Sequence, residues 1–310
     1  YGVTTTGTGG SGGCGYMVTT SYIANNGDAG LHSAFDNSAY FYAWNCTVVS
    51  NKNYGLNFGY GYGAYAVKNC IFVNPGCDYN VGFVPTGNWL TLMHVCAYGA
   101  KKGFVSNCTD ESLVFQDGIR EFDPKFGDGF YLADESLLIG MGEDISGHDL
   151  YTVTEDLYGE PWNGVYDYGC VKNTRQGAAP AQYADTYVSP DGDDANEGDA
   201  PERALKSPGL ALARTAGYGT CHLAEGVYTN AIYLDREGVT LQGAGTGRTI
   251  LCGLKTATPN RYQLVMCGRN VTARDLTSTG GVFGVYFSYP HCCSNAAAVN
   301  CEFRENTYGV

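Results

Sequence analysis

Positive charge is scarce in this chain: 18 lysines and arginines stand against 31 aspartates and glutamates, a net charge of −13. No basic face is available to displace counterions from phosphate, which excludes nucleic acid as a partner, and the same deficit argues against an anionic membrane surface. Long apolar runs are missing too, so no segment inserts into a membrane. No charged-then-apolar leader opens the chain, whose Tyr1-Gly2-Val3 start reads as that of a mature or excised segment. The 13 cysteines include no Cys-x-x-Cys pair, which argues against a structural zinc site, and their odd number leaves at least one thiol unpaired or paired between chains. There is no glycine-rich loop followed by Lys-Ser/Thr, and none of the five histidines has a partner in a Gly-x-Ser-x-Gly motif. Helical signal is confined to residues 208–216, PGLALARTA, which stop at Gly217.

What remains is glycine (44 residues), tyrosine (25) and an apolar fraction of 44%, enough for a packed core. Short β-type runs broken by Gly, Asn and Asp predict an all-β chain with many turns. The runs repeat. Asn45-Cys46-Thr47-Val48-Val49-Ser50-Asn51 returns 24 residues later as Asn69-Cys70-Ile71-Phe72-Val73-Asn74, and again as Asn300-Cys301-Glu302-Phe303-Arg304. A looser copy, Thr20-Ser21-Tyr22-Ile23-Ala24, lies 25 residues before Asn45, and Asn270-Val271-Thr272-Ala273-Arg274-Asp275 lies 30 before Asn300. Asparagine tolerates left-handed backbone and suits a sharp corner. Units of 20 to 30 residues that cannot bury a face alone must stack, which predicts a parallel β-solenoid with one such strand per turn.

These rungs resemble right-handed parallel β-helix proteins of the pectate-lyase-like superfamily, and among them large secreted bacterial proteins with similar Asn-Cys-Thr rungs. Tyr187-Val188-Ser189-Pro190-Asp191-Gly192, then residues 208–216 and Gly226-Val227-Tyr228, look like that group's N-terminal cap and first turn, and Gly238-Val239-Thr240-Leu241-Gln242-Gly243 like an early rung. Asp123-Pro124-Lys125-Phe126, Tyr131-Leu132, Asp156-Leu157-Tyr158-Gly159 and Asp167-Tyr168-Gly169 look like its C-terminal end. The ends therefore stand in reverse order. The resemblance implies the C-terminal part of one β-helix with its closing segment over 1–170, a linker over 171–185, and the cap and first turns of a second β-helix over 186–310.

A half-coil exposes strand edges that native proteins cover, and another copy of the same chain is the simplest cover. If Val310 leads into a second Tyr1, the rung at Asn300 meets the rung at Thr20 after 30 residues, equal to the step from Asn270 to Asn300. Tyr308-Gly309-Val310 also duplicates Tyr1-Gly2-Val3, which makes the period three residues shorter if the window overlaps itself. Copies joined head to tail make filaments when they do not close into a ring. The expected partners are thus copies of the chain and, for a sugar-binding or adhesive role, polysaccharide. An arbitrary window of a longer protein is the plain alternative.

Enzymes are the rival class, since the resembled superfamily includes polysaccharide lyases and glycoside hydrolases. Such chemistry needs carboxylates in step on one face, with a base or a second acid. In residues 1–100 the acids are Asp28, Asp36 and Asp78, and no two fall in step with the 24–25-residue period; Asp275 with Glu305, and Arg274 with Arg304, match at 30 residues, as catalytic charges or as a solvated face. Asp191, Asp193, Asp194, Asn196 and Asp199 lie in a run of seven acids without a base, which reads as a polar turn or as oxygen ligands for Ca²⁺, the one cofactor suggested, without EF-hand spacing. Cys46, Cys70 and Cys301 hold one place in their rungs and predict an internal ladder of buried thiols, with disulfide or redox chemistry as the alternative. Tyr54, Tyr60 and Tyr62 crowd one glycine-rich turn, as sugar platforms or as packing between turns. Asn45, Asn107 and Asn270 head N-x-Thr sequons. The expectation is a structural, extracellular or cell-surface module of a fibre.

Overall fold

The computed structural model describes residues 2–7, 14–35, 39–58, 63–82, 89–105, 113–127, 130–146, 152–174, 180–253, 263–287 and 293–310. They form two units, one up to Pro180 and one from Ala181. Both are parallel β-solenoids, about nine turns in all.

In the first unit each turn lays one short strand on each of three sheets. The first sheet runs Val3–Gly7, Ala29–Phe35, Tyr54–Phe58, Tyr79–Gly82, Gly103–Val105; the second Cys14–Thr19, Ala39–Trp44, Gly63–Lys68, Trp89–Met93, Leu113–Asp117; the third Tyr22–Ala24, Thr47–Val49, Ile71–Val73, Cys96–Tyr98. Every neighbour in these sheets is parallel and one turn away in sequence, because a coil brings the same position back after each circuit. Alternation does the rest. Phe41 and Ala43 point inward and are fully buried, stacked through Tyr65 and Val67 onto Leu90 and Leu92, while Tyr40 and Tyr42, which alternate with them, are exposed and half-buried. Leu31, Leu56 and Val81 line the first sheet in the same manner, and Ile23, Val48, Phe72 and Ala97 the third.

The second unit repeats the plan. Tyr183–Val188, Thr215–Leu223, Thr240–Gln242, Thr272–Arg274 and Ala297–Val299 form one sheet; Gly226–Tyr228, Thr249–Cys252, Thr277–Thr279 and Glu302–Arg304 the next; Ile232–Leu234, Leu264–Met266 and Tyr286–Phe287 the third. Its leading turn is covered by the helix Pro208–Arg214, which buries Leu210, Ala211 and Leu212; the helix is two residues shorter than its sequence signal because Thr215 and Ala216 enter a strand. Strand Tyr183–Val188 begins inside the stretch 171–185 read as a linker.

The tight corners sit where asparagine was expected to place them. Thr20, Asn45, Asn69 and His94 all have φ between 42° and 51°, one per turn, and Asn25 and Ser50 make a second left-handed corner five residues on. One register differs from expectation. Thr272–Arg274 pairs with Ala297–Val299, and Asn295 donates to the Asn270 side chain, so the step here is 25 residues and not 30. Left-handed corners at Asn270 and Asp275, and again at Asn295, Asn300 and Glu305, recur every five residues, so a five-residue slip lays corner on corner and escapes notice in the sequence.

The described residues between 118 and 173 return along the first unit. Asn45 donates from Nδ2 to the carbonyls of Asp167 and Gly169, and Asn69 exchanges hydrogen bonds with the Glu143 backbone at 2.8 Å each way. Trp44, Ile145, Val153, Trp162 and Tyr166 form the apolar seam beneath, with the Lys68–Glu143 ion pair beside it. The corner asparagines thus hold the returning chain, and the Asn45 sequon is buried within that contact.

Candidate functional site

The 30-residue match of charges does not hold in register. With a 25-residue step, Asp275 lies over Asn300, not Glu305, and Arg274 pairs with Val299, not Arg304. In the first unit Asp28 and Asp78 do fall in step, two turns apart, with Asn53 between them: Asn53 donates to Asp28 at 2.7 Å, and Lys102 pairs with Asp78 at 2.7 Å on the next turn. The 50-residue separation of the two aspartates hid this line from a comparison of adjacent rungs. It is an exposed file of mutually bonded polar groups, with no carboxylate pair on neighbouring turns.

Among the described residues Asp275 is the most perturbed carboxylate, held at about 2 by hydrogen bonds from Asn300, Gln242 and Arg274. A depressed folded value means that its stabilising contribution is present above the ordinary carboxylate range near ~4 and is lost as pH falls through about 2. The urea midpoint of the native chain is therefore expected to fall more steeply than that of Asp275→Asn across that window. Parallel acid limbs would show that the three donors do not hold the carboxylate.

The acidic run bonds to its own backbone. Asp194 accepts from the Lys206 and Ser207 amides and the Ser207 hydroxyl, Asp193 from the Ala195 amide, and Asp199 from Arg203, while Asn196 donates to the Ala204 carbonyl. Among the described residues no group of three acids, histidines or cysteines comes close enough to hold a metal ion. Asp191, Asp193, Asp194, Asn196 and Asp199 thus form a capping turn that does not fit a calcium cage.

Cys46 and Cys70 meet on adjacent turns, the Cys46 amide donating to the Cys70 sulfur at 3.4 Å; both are buried, and burial pushes the Cys70 thiol well above its ordinary value. That environment suits packing and not a thiolate nucleophile. Cys301 holds the equivalent corner place in the second unit, where its neighbour one turn back is Leu276. Tyr54 is half-buried with its ring over Gly82, while Tyr60 and Tyr62 lie outside the described residues. Exposed rings gather elsewhere: Tyr22 stacks on Phe130 at 4.0 Å and Phe130 on Tyr158 at 6.4 Å. Phe130 and Tyr158 come from the returning segment, more than a hundred residues from Tyr22, so no local motif announces the group.

The terminal turns carry the most specific geometry. Tyr1 lies outside the described residues. Gly2 stands where a side chain would meet Ile23, the Asn26 amide and the Gly30 carbonyl within 2.8 Å. Gly30 meets Val48, Asn51 and Gly55 in the same way, Gly55 meets Phe72 and Asn74, and in the second unit Gly284 meets Phe303, Asn306 and Gly309. The pattern is residue-Gly-aliphatic: Ala29-Gly30-Leu31 and Tyr54-Gly55-Leu56 enter first-sheet strands of the first unit, and Phe283-Gly284-Val285 leads into Tyr286–Phe287 of the second, each with an asparagine of the next turn against the glycine. Tyr308-Gly309-Val310 repeats the triplet, and a side chain at Gly309 would meet only Phe303 at 4.0 Å. Only glycine fits at positions 30, 55 and 284, because the asparagine amide of the next turn crosses above it.

That asparagine file is the inner spine of the coil. Asn26 donates to Asn51 Oδ1 through both its backbone (3.1 Å) and side chain (2.8 Å), and Asn51 does the same to Asn74 at 2.9 and 3.1 Å. Each Nδ2 also reaches back one turn, from Asn51 to Ile23 O and from Asn74 to Val48 O. Asn306 behaves identically: the Gly281 amide donates to its Oδ1, and its Nδ2 donates to Ser278 O. Its own turn is open to solvent, with Val299, Arg304, Tyr308 and Val310 exposed, and Gly2 and Tyr22 are exposed on the first turn of the first unit.

Comparison with protein-family models, with curated proteins and with solved structures finds no match to this chain.

Proposed function

We propose that this chain is a structural module of an extracellular or cell-surface fibre, built as a right-handed β-helix of the pectate-lyase-like kind in a secreted bacterial protein, whose copies follow one another head to tail. The observation that carries the reading is that Tyr308-Gly309-Val310 repeats Tyr1-Gly2-Val3 in a matching place of the turn, the Gly284 amide donating to Tyr308 O at 3.0 Å as the Gly2 amide donates to Ala29 O at 3.1 Å. A solenoid edge is a row of unpaired backbone groups that templates a further strand, and a second copy supplies one with the same spacing of corner, strand and asparagine. Continuous parallel pairing along the axis gives stiffness without a cofactor or a catalytic group.

Electron microscopy of the native material tests this. About nine turns at ~4.8 Å each give rods about 43 Å long, one barrel per copy, repeated along a thread. Regular threads with that spacing are expected. Discrete single particles at the same concentration would contradict the proposal.

A further inference from the structure

We infer that the meeting of two copies has one register, in which Tyr308-Gly309-Val310 of the first copy and Tyr1-Gly2-Val3 of the next are the same rung, so that the repeat is 310 residues less the three shared, 307. The inference rests on the head-to-tail reading and fixes its geometry.

Three observations fix that register. Left-handed corners at Asn300 and Glu305 are five residues apart, as at Thr20 and Asn25 and at Asn45 and Ser50. Asn306 carries the backward hydrogen bond and accepts the preceding turn's amide as Asn51 and Asn74 do, which leaves it waiting for a following asparagine in the place of Asn26. Gly309 follows Asn306 by three residues, as Gly284 follows Gly281, where Gly30 follows Asn26 by four, and the Gly284 amide donates to Tyr308 O at 3.0 Å as the Gly2 amide donates to Ala29 O at 3.1 Å. Placing Gly2 one turn beyond Gly309 would leave the other two sheets a strand short at that level. The triplets must share one place.

The bonds at the joint follow from those inside the unit. Within it the Asn45 amide donates to Lys68 O, the Ser50 amide to Val73 O, the Thr47 amide to Ser21 O and the Asn51 amide to Asn74 Oδ1. By position, Asn300 then donates to Thr19 O, Glu305 to Ala24 O and Asn306 to Asn26 Oδ1 of the next copy, while that copy's Tyr22 amide donates to Cys301 O. Glu302, Phe303 and Arg304 lie opposite Tyr22, Ile23 and Ala24. Among the described residues the amides of Asn300, Glu305 and Asn306 have no acceptor in the single chain.

Two tandem chains test the register: one in which Thr307 of the first copy leads directly into Tyr1 of the second, and one in which Val310 does. Amide hydrogen exchange is read over residues 299–307 of the first copy, with the interior amides of Asn45 and Asn69 as the control for folding. In the 307-residue tandem these edge amides are expected to slow by on the order of a hundredfold or more against the single chain, and the 310-residue tandem to protect them less. Protection as strong or stronger in the 310-residue tandem would overturn the shared rung while leaving head-to-tail joining intact. Fast exchange in both, with the controls protected, would overturn the joining itself.

Discussion

Replacing Asn74 by alanine is expected to destabilise the first unit by about 3–5 kcal/mol, the largest effect of any polar substitution in the coil. The side chain is fully buried and ties its own turn to the preceding one. Its Oδ1 accepts from the backbone and side chain of Asn51, and its Nδ2 donates to Val48 O and Asn80 Oδ1. Alanine removes both functions, leaving the buried Asn51 amide without its acceptor and Asn80 without its donor, at about 1–3 kcal/mol for each group that finds no replacement. Asn53→Ala is the comparison, because Asn53 bonds only to Asp28 in an exposed pair, and a change within about 0.5 kcal/mol is expected there. Urea unfolding of the two variants measures the difference. Equal midpoints would mean that the asparagine file is an ornament of the coil and not its spine.

Alanine at Gly55 is expected to cost about 2–3 kcal/mol or more. A methyl group there lies 2.7 Å from Asn74 Nδ2, 2.7 Å from Phe72 Cδ1 and 2.9 Å from the Asn80 carbonyl. Two of these neighbours belong to the asparagine file and its backbone, so relief requires the turns to part. Gly27→Ala is the control: nothing lies within 4 Å of its added methyl, and the substitution is expected to be neutral or slightly stabilising. Thermal unfolding of both variants, read against the native chain, distinguishes a steric requirement at Gly55 from a general dislike of alanine at a turn. The same argument applies at Gly30 and Gly284, whose surroundings repeat those of Gly55.

Much of the coil was legible because its corners are written in one residue type. Asn45 and Asn69 announced a 24-residue turn, and parallel pairing of Thr47–Val49 with Ile71–Val73 follows from it directly. The same simplicity produced the error between Asn270 and Asn300: corners five residues apart look alike, and only pairing partners separate a 25-residue step from a 30-residue one. Tyr308-Gly309-Val310 was visible as an echo of Tyr1-Gly2-Val3, but its meaning was not. The glycine at position 2 is required by Asn26 on the next turn, and that neighbour is 24 residues away in sequence. Contacts made by the returning segment, such as Tyr22 on Phe130 or Asn45 on Asp167, carry no periodicity and leave no mark in the repeat.

The density of a two-copy chain across its junction tests the central claim most directly. Glu302–Arg304 of the first copy is expected parallel to Tyr22–Ala24 of the second, with Phe303 opposite Ile23 and the Asn306 amide on Asn26 Oδ1. A junction in which these strands lie apart, run antiparallel or pair in another register would contradict it.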